Sequence, residues 1–256
     1  MKFVFDLDGT ICFKGRPVTE KILGALENLQ SNGHEVIFAS ARPIRDMLPV
    51  LHERFHKHTM IGGNGSLIAR HGALEHAASF SEDKTNVIIR LIAEFEAKYL
   101  IDGEWDYSYT GDPDHPILNN LDPAKLAKKI PLDAHQSIVK VLILAANDMK
   151  GLAERLSAMD VVVHKHGKEN VLDISPKGIH KWDALSRMNV RKGEYVAFGN
   201  DANDITMFMN ASRSVMIGHH EELAKHASES ILLDENVEDR IVSKLESLSN
   251  NCKMCN

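Results

Sequence analysis

Short apolar runs alternate along this chain with segments whose apolar residues recur every three or four positions. Residues 2–7 and 34–40 are apolar runs typical of buried strands, and residues 19–32 between them carry apolar residues at helical spacing. The same alternation returns from residue 177 onward, with a strand predicted at 195–199. Strands that alternate with helices favour βαβ units, so the pattern predicts a parallel sheet of the α/β class.

The middle of the chain follows a different pattern, with strands and helices joined by short connections. It predicts one helix at 84–99 and a short one after Asp122-Pro123, while an earlier helix is predicted at 44–57. The resulting fold prediction is a Rossmann-like parallel-sheet core formed by residues 1–80 and 177–256, with an α+β cap domain inserted at residues 81–176.

Composition and charge exclude several classes of protein. The 256 residues are 43% hydrophobic and 26% charged, which is ordinary for a globular protein. A formal net charge of -6, with no basic stripe, argues against a nucleic-acid partner. Three cysteines, no signal-peptide pattern and no apolar run of about 18 residues predict a cytoplasmic protein without a membrane partner, as a monomer or small homo-oligomer.

Two aspartates follow the first predicted strand, in the sequence DLDGT. Residues two apart on a strand point the same way, so Asp6 and Asp8 are expected to face one place beyond the strand end. Ligands of open α/β sheets bind at that edge. Two adjacent carboxylates repel unless a cation relieves them, and a divalent cation with oxygen ligands would do so.

DLDGT resembles the first motif of the haloacid dehalogenase-like (HAD) superfamily of phosphatases. The resemblance implies that Asp6 is the nucleophile, that Asp8 is the general acid and base, and that Mg²⁺ is the cofactor. This chemistry is reasonable in itself, because a carboxylate can form an acyl phosphate and divide one difficult displacement into two easier ones.

Ser40 ends the second predicted strand, in FASARP. Its hydroxyl and the Ala41 amide can donate to phosphate oxygens, although a serine at a strand end is also a common helix cap. The family has Thr or Ser at this place, commonly followed by Gly and Arg. The resemblance therefore implies phosphate binding by Ser40 and Ala41, and Ala41 departs from the family pattern.

Lys177 lies in ISPKGI, before a predicted helix. A lysine there can neutralise both a nucleophile and a transferred phosphoryl group, although a surface lysine is the ordinary alternative. PKG before a helix resembles the family's third motif, which implies a catalytic and phosphate-binding role for Lys177.

The sequence GNDANDITM begins at Gly199, at the end of a predicted strand. The family pattern is Gly-Asp-x-x-Asn-Asp, so Asn200 stands where Asp is usual. The resemblance implies that Asn200 binds the metal together with Asp6 and the backbone carbonyl of Asp8. An amide oxygen can bind magnesium with one negative charge fewer, and Asp201 is an alternative ligand.

Two further residues of this segment receive roles from the same resemblance. It implies that Asn203 contacts phosphate, and that Asp204 either binds the metal or orients Lys177. An Asx-rich turn that caps the next helix explains part of the cluster whatever its function.

The motifs occur in family order, and the insertion between the second and third resembles the Cof-type subclass IIB branch, as does the hairpin signal Asn64-Gly65. The predicted function is hydrolysis of a small phosphorylated metabolite, such as a sugar phosphate or a vitamin or nucleotide-precursor phosphate. Two alternatives stay open. One is a phosphotransferase or mutase, and the other is a non-catalytic ligand-binding protein, suggested by Ala41 and Asn200.

Other features are assigned no role in the site. His164 and His166 flank Lys165, and the C-terminal segment from Cys252 to Cys255 has CxxC spacing without a second half-site. The alternating aromatic residues Trp105, Tyr107 and Tyr109 fit either the core of the inserted domain or a substrate-stacking wall.

Overall fold

The computed structural model describes residues 1–166 and 171–253 as two β-sheets with helices packed against them. The strands are β1 (Lys2–Phe5), β2 (Glu35–Ala39), β3 (Thr59–Gly62), β4 (Leu67–Arg70), β5 (Ala73–Ala77), β6 (Lys98–Asp102), β7 (Tyr107–Tyr109), β8 (Lys140–Ala145), β9 (Val161–His166), β10 (Val171–Pro176), β11 (Tyr195–Gly199), β12 (Arg213–Ile217) and β13 (Glu229–Ile231). The helices are α1 (Glu20–Ser31), α2 (Ile44–Met47), α3 (Glu82–Glu94), α4 (Met149–Ser157), α5 (Lys181–Arg187), α6 (Ile205–Asn210), α7 (Glu221–Ala224) and α8 (Val237–Lys253).

The larger sheet combines strands from both ends of the chain. Its eight described strands have the order β13-β12-β11-β1-β2-β3-β4-β5. The first six are parallel to one another, and β4 and β5 add an antiparallel edge. The predicted α/β class, with a sheet dominated by parallel strands, is confirmed.

Strand β1 is buried on both faces of this sheet, as its continuous apolar sequence predicts. Phe3 and Phe5 face the apolar core that also contains buried residues of α1 and α8. Val4, between them, faces the opposite core, which contains residues of α5 and α6. Burial on both faces fixes the register of β1 and therefore the direction in which the residues after it point.

The smaller sheet is antiparallel and comes from the middle of the chain. Its described strands have the order β7-β6-β8-β10-β9. One face packs against α3 and α4 through a separate apolar core. The chain passes from the larger sheet to this one between Ala77 and Glu82, and it returns after Pro176.

The helix predicted at 44–57 is wrong in its extent. Helix α2 stops at Met47, and two short 3₁₀ turns follow at Leu48–Val50 and Glu53–Phe55. Pro49 lies in the first of them, and proline has no N–H for an α-helical hydrogen bond. The imidazole of His52 then accepts a hydrogen bond from the Arg54 N–H and begins the second turn.

Two other predicted helices also differ from the structure. No helix follows Asp122-Pro123 in the described chain, because the Asp122 carboxylate instead accepts hydrogen bonds from the amides of Leu126 and Ala127 in a loop. Helix α3 ends at Glu94 because Glu96 adopts a positive φ of 48°, and β6 begins soon after.

The aromatic stretch contributes to packing. Tyr109 is buried in an apolar cluster, Tyr107 lies beneath the guanidinium of Arg45, and the Trp105 indole donates to the Leu126 carbonyl. The side chains of His164, His166 and Cys252, and the whole of Cys255, lie outside what the structure describes. In the described ranges, no helix has both the length and the apolar character needed to span a bilayer.

Candidate active site

The predicted motifs meet at the carboxyl edge of the larger sheet. Asp6 follows β1, Ser40 follows β2 and Asn200 follows β11, and these strands are neighbours in the order β11-β1-β2. The chain leaves β1 toward β2 on one side and returns through β11 on the other. The three residues therefore lie at a switch point of the strand order, where open α/β sheets bind their ligands.

Asp6 is buried at the centre of this edge, with 4% of its surface exposed. The Thr10 hydroxyl donates to Oδ2 at 2.8 Å, and the Lys181 ammonium donates to Oδ1 at 2.7 Å. Both carboxylate oxygens thus have a fixed position, as a nucleophile or a metal ligand requires.

Lys181, which sequence reasoning did not select, supplies the buried cation of the site. Its Nζ lies 2.7 Å from Asp6 Oδ1 and 2.6 Å from Asp204 Oδ1, and its side chain is fully buried. One ammonium group therefore joins the end of β1 to the loop after β11.

Lys177 lies elsewhere, which corrects the assignment made from the sequence. Its side chain is 67% exposed and pairs with Asp160 at 2.5 Å. Helix α5 begins at Lys181, because the His180 imidazole accepts a hydrogen bond from the Asp183 N–H and caps the helix. Lys177 therefore lies before the helix and not at its first position. The capping pattern at His180 is the local signal that could have pointed to Lys181.

Burial and charge set the protonation states of this pair. Burial raises the pKa of Asp6 to about 7, even though the nearby Lys181 ammonium opposes the rise. Burial alone would lower the pKa of Lys181, but Asp204 and Asp6 outweigh it and raise that pKa above its ordinary range. Lys181 therefore stays charged at neutral pH beside a carboxylate that titrates near neutrality.

The Asp8 carboxylate is held by Arg42. Arg42 Nε donates to Oδ2 and Nη2 donates to Oδ1, each at 2.7 Å. The guanidinium is itself fixed, because Nη1 donates to the carbonyl oxygen of Asp46. The Asp8 side chain remains 47% exposed, so it is both oriented and accessible.

Hydrogen bonds connect the loop after β2 to the loops after β3 and β11. The Arg42 amide donates to Ser40 Oγ, and the Asn64 amide donates to the Ser40 carbonyl. Asn64, in the hairpin turn predicted from its Asn-Gly pair, has a φ of 59° and accepts a hydrogen bond from the side-chain amide of Asn203 at 3.0 Å. Ser40 and Asn203 are thereby brought into one polar network, with Ala41 next to Ser40.

Asp6 and Asn200 direct oxygen atoms toward the same point. The Thr10 hydroxyl lies 2.8 Å from Asp6 Oδ2 and 3.3 Å from Asn200 Oδ1. Gly9 allows this approach, because its φ is +78° and an added Cβ would lie 2.2 Å from Asn200 Nδ2.

Asp204 has both of its carboxylate oxygens engaged by the protein. Oδ1 accepts from Lys181, and Oδ2 accepts from the amides of Asn200 at 2.8 Å and Asp201 at 3.2 Å. Asp204 thus orients the buried lysine and shapes the loop after β11. Asp201, in contrast, is exposed and caps the following turn through Ala202.

The donor set fits a hard divalent cation. Asp6 and Asn200 place side-chain oxygens around Thr10, and such carboxylate and amide oxygens are ligands of hard cations. Among the described residues, no three His, Cys, Asp or Glu side chains form a metal-binding group.

Comparisons with known proteins show what this chain is similar to. The chain is 25% identical over 245 residues to the HMP-PP phosphatase of Cronobacter sakazakii, covering 84% of this chain and 83% of the relative. A crystal structure of a haloacid dehalogenase-like hydrolase from Bacteroides thetaiotaomicron superposes with a TM-score of 0.77 at 19% identity, covering 96% of this chain and 98% of that one.

The HAD subclass IIB sugar phosphatase BT4131 superposes with a TM-score of 0.76 at 14% identity, over 96% of this chain and 98% of that one. The family model of haloacid dehalogenase-like hydrolases matches residues 3–245. This range includes both chain segments that form the larger sheet and the whole of the smaller sheet. The resemblance inferred from DLDGT is confirmed, and the chain belongs to the haloacid dehalogenase-like hydrolase family.

Proposed function

We propose that this protein is a Mg²⁺-dependent phosphatase that hydrolyses a small phosphorylated metabolite through an aspartyl-phosphate intermediate. The observation that carries the proposal is the buried Asp6 carboxylate, held by Lys181 and Thr10 two residues before the accessible Asp8. The Cronobacter relative is named an HMP-PP phosphatase and BT4131 is named a sugar phosphatase. Both names support a small phosphorylated metabolite as the substrate.

In the first step, one oxygen of Asp6 attacks phosphorus and the bond from phosphorus to the leaving oxygen breaks. Lys181 supports this attack, because its ammonium holds Asp6 in position and offsets the charge that gathers around the phosphoryl group. Lys181 thus takes the role that the sequence assigned to Lys177.

Asp8 acts as the general acid and then as the general base. It gives a proton to the leaving alcohol in the first step. In the second step it takes a proton from the water that attacks phosphorus, the bond from phosphorus to the Asp6 oxygen breaks, and inorganic phosphate leaves with Asp6 restored as a carboxylate. Arg42 sets the direction of the Asp8 carboxylate through two hydrogen bonds.

The residues that would hold Mg²⁺ are Asp6, Asn200 and the main-chain carbonyl of Asp8. The cation would reduce the repulsion between the anionic nucleophile and the anionic phosphate. Asp204 is proposed as a positioning residue for Lys181, because its Oδ1 accepts from the Lys181 ammonium and its side chain is fully buried.

Phosphate binding is proposed for Ser40, the Ala41 amide, Asn203 and Lys181. Ser40 and Asn203 belong to the hydrogen-bond network around Asn64, so their positions are fixed before substrate binds. The unit built on the smaller sheet is proposed as a cap that covers this edge and selects the leaving group.

The proposal is tested by phosphate release from a panel of small phosphomonoesters, with Mg²⁺ and with EDTA. We expect turnover with Mg²⁺ and none with EDTA. A wild-type protein that releases no phosphate and binds no Mg²⁺ at millimolar concentration would instead favour a non-catalytic ligand-binding role.

Asp6→Asn tests the nucleophile, since it keeps the shape and removes the charge. We expect phosphate release to fall by at least about a thousandfold. Asp114→Asn is the control, because Asp114 is exposed and lies outside the motifs of the site, and it should retain most activity. Activity of Asp6→Asn near the wild-type level, in a preparation free of contaminating phosphatase, would exclude Asp6 as the nucleophile.

A further inference from the structure

One short segment beside the larger sheet is held at both ends by the unit built on the smaller sheet. Residues 41–46, which we call the bridging segment, lead from β2 into α2. At the start of the segment, Lys140 Nζ of β8 donates to the carbonyl oxygen of Ala41 at 3.1 Å. At its end, Arg45 Nη2 donates to Asp102 Oδ1 of β6 at 2.5 Å. Because Asp102 and Lys140 are paired across β6 and β8, they project from the same side of the smaller sheet.

The contacts at the end of the bridging segment are buried, and they include a charged pair. The side chains of Arg45 and Asp102 are only 1% and 2% exposed. Arg45 Nη1 also donates to the Trp105 carbonyl at 2.7 Å. Beside it, Asp46 Oδ1 accepts from the Asp122 amide at 2.9 Å. Charge-assisted hydrogen bonds shielded from water are stronger than exposed ones, so the end of the segment takes its position from the unit built on the smaller sheet.

Arg42, inside the bridging segment, connects these contacts to Asp8. Its guanidinium donates two hydrogen bonds to the Asp8 carboxylate, each at 2.7 Å, and one from Nη1 to the Asp46 carbonyl oxygen at 3.2 Å. Asp46 therefore contacts Arg42 through its main chain and the other unit through its side chain. A shift of Asp46 would move the guanidinium and, with it, the Asp8 carboxylate.

Asp6 is held in a different way. Its oxygens accept from Thr10, in the loop after β1, and from Lys181, at the start of α5. Neither of these donors belongs to the bridging segment. A change in the bridging segment can therefore displace the general acid and base while the nucleophile keeps its two hydrogen bonds.

We propose that the unit built on the smaller sheet positions the Asp8 carboxylate for proton transfer, through the bridging segment and Arg42. This proposal rests on the proposed phosphatase function. It makes Arg45 and Asp102 positioning residues, because they act on Asp8 through Arg42. The unit built on the smaller sheet thereby contributes to the chemical step itself, since a proton moves efficiently only along a well-directed hydrogen bond.

The proposal predicts a loss of activity that depends on the leaving group. A basic leaving oxygen needs the proton from Asp8 as its bond to phosphorus breaks, whereas a stable anion such as p-nitrophenolate leaves without it. Displacing the Asp8 carboxylate should therefore slow the esters of weakly acidic phenols more than the esters of strongly acidic ones. A smaller amount of folded protein would instead slow all of them by the same factor.

The test compares kcat/KM for p-methoxyphenyl, phenyl and p-nitrophenyl phosphate, whose leaving groups have similar shapes and rising acidity. Since kcat/KM covers the steps up to phosphoryl transfer, it reports proton donation to the leaving oxygen. In Arg45→Gln and Asp102→Asn, we expect it to fall at least about tenfold for p-methoxyphenyl phosphate and less than about threefold for p-nitrophenyl phosphate. Leu152→Ala, in the apolar core on the other side of the smaller sheet, is the control and should change all three esters by one factor.

The double variant Arg45→Gln/Asp102→Asn removes both charges of the pair and leaves neither of the two buried alone. Because both residues act through one contact, its loss for p-methoxyphenyl phosphate should not exceed that of the more affected single variant. It also decides the outcome if a single variant does not fold. A loss by the same factor for all three esters in every folded variant would overturn the positioning role and leave the phosphatase proposal intact.

A second readout does not require turnover. Arg42 Nε–H donates to Asp8 and its side chain is only 11% exposed, so this proton should exchange slowly with water in NMR spectra of the wild type. Arg42→Lys identifies the signal by removing it. We expect exchange at least about threefold faster in the double variant and unchanged in Leu152→Ala. If the wild type hydrolyses nothing, the phosphatase proposal fails, and equal exchange in the wild type and both variants would overturn the positioning of Asp8 as well.

Discussion

Two lysines four residues apart, Lys177 and Lys181, have opposite environments. Lys181 is fully buried between the carboxylates of Asp6 and Asp204, whereas Lys177 is exposed and pairs with Asp160 on the surface. Removing one partner of a buried charge cluster leaves uncompensated charge, while a surface ion pair contributes little. The two lysines therefore form a matched pair for mutation.

Lys181→Met is expected to lower phosphate release by at least about a hundredfold, because the ammonium that positions Asp6 is lost. Lys177→Met should stay within about twofold of the wild type, since an exposed ion pair is its described contact. Steady-state kinetics measures both variants, with circular dichroism to confirm folding and Lys181→Arg as a variant that keeps the charge. Equal losses in Lys177→Met and Lys181→Met would contradict the placement of Lys181.

The raised pKa of Asp6 also makes metal binding depend on pH. Burial holds this pKa at about 7 in the metal-free protein, and a ligating carboxylate must be deprotonated. Mg²⁺ affinity should therefore rise by up to about tenfold per pH unit below pH 7 and level off above it. Calorimetric Mg²⁺ titrations at several pH values measure this, and an affinity that does not change between pH 6 and pH 8 would contradict it.

At the scale of the elements, the loop between β11 and α6 shows how one segment serves two purposes. Asp204 accepts the amide hydrogens of Asn200 and Asp201, so the loop is a tight, capped turn. The same turn places the Asn200 side chain against Gly9 and Thr10 of the loop after β1. The Asx-rich turn and the candidate metal site are thus the same structure.

Asn200→Asp tests whether this loop binds the cation. The substitution keeps the side-chain shape and adds a negative charge where the family usually has one, so we expect equal or tighter Mg²⁺ binding. Asn210→Asp, at the end of α6, is a control that adds the same charge elsewhere on the same segment. A large loss of Mg²⁺ affinity in Asn200→Asp alone would mean that Asn200 has another role.

At the scale of the whole molecule, a buried charged cluster joins the two sheets. Arg45 and Asp46 come from α2 beside the larger sheet, and Asp102 and Asp122 come from the middle of the chain. Arg45 Nη2 bonds to Asp102, and Asp46 Oδ1 accepts from the Asp122 amide at 2.9 Å. These contacts between α2 and the middle of the chain therefore join the two units.

Asp46 gives this contact a defined pH dependence. Burial raises the pKa of Asp46 from 3.8 to about 6, although Arg45 opposes the rise. At pH values between these two pKa values, the Asp46 carboxyl is protonated in the folded protein but ionised in the unfolded chain. The contribution of Asp46 to the free energy of unfolding therefore declines as pH rises from about 4 to about 6. In Asp46→Asn this part of the pH dependence should be absent.

Urea unfolding of the wild type and Asp46→Asn at a series of pH values between 4 and 7 measures the difference. Asp114→Asn, at an exposed position of the middle segment, is the control and should follow the wild type. The same slope of unfolding free energy against pH in Asp46→Asn and the wild type would show that Asp46 does not titrate in this range.

The sequence by itself determined where strands end and therefore which motif residues meet. Continuous apolar runs fix β1, β2 and β11, and the polar residues that follow them, among them Asp6, Ser40 and Asn200, gather at one edge because parallel strands share it. The fold class follows from the same alternation, since it depends on periodicity that neighbouring residues already contain.

Only the tertiary structure decided which lysine reaches Asp6, which cation holds Asp8, and which side of the smaller sheet meets the active site. Lys177 and Lys181 both lie near the start of α5, and only Lys181 is buried between Asp6 and Asp204. The contacts of Arg42 with Asp8, and of Lys140 with Ala41, join residues 34 and 99 positions apart. Contacts of that range depend on how the elements pack together, and local sequence patterns do not record them.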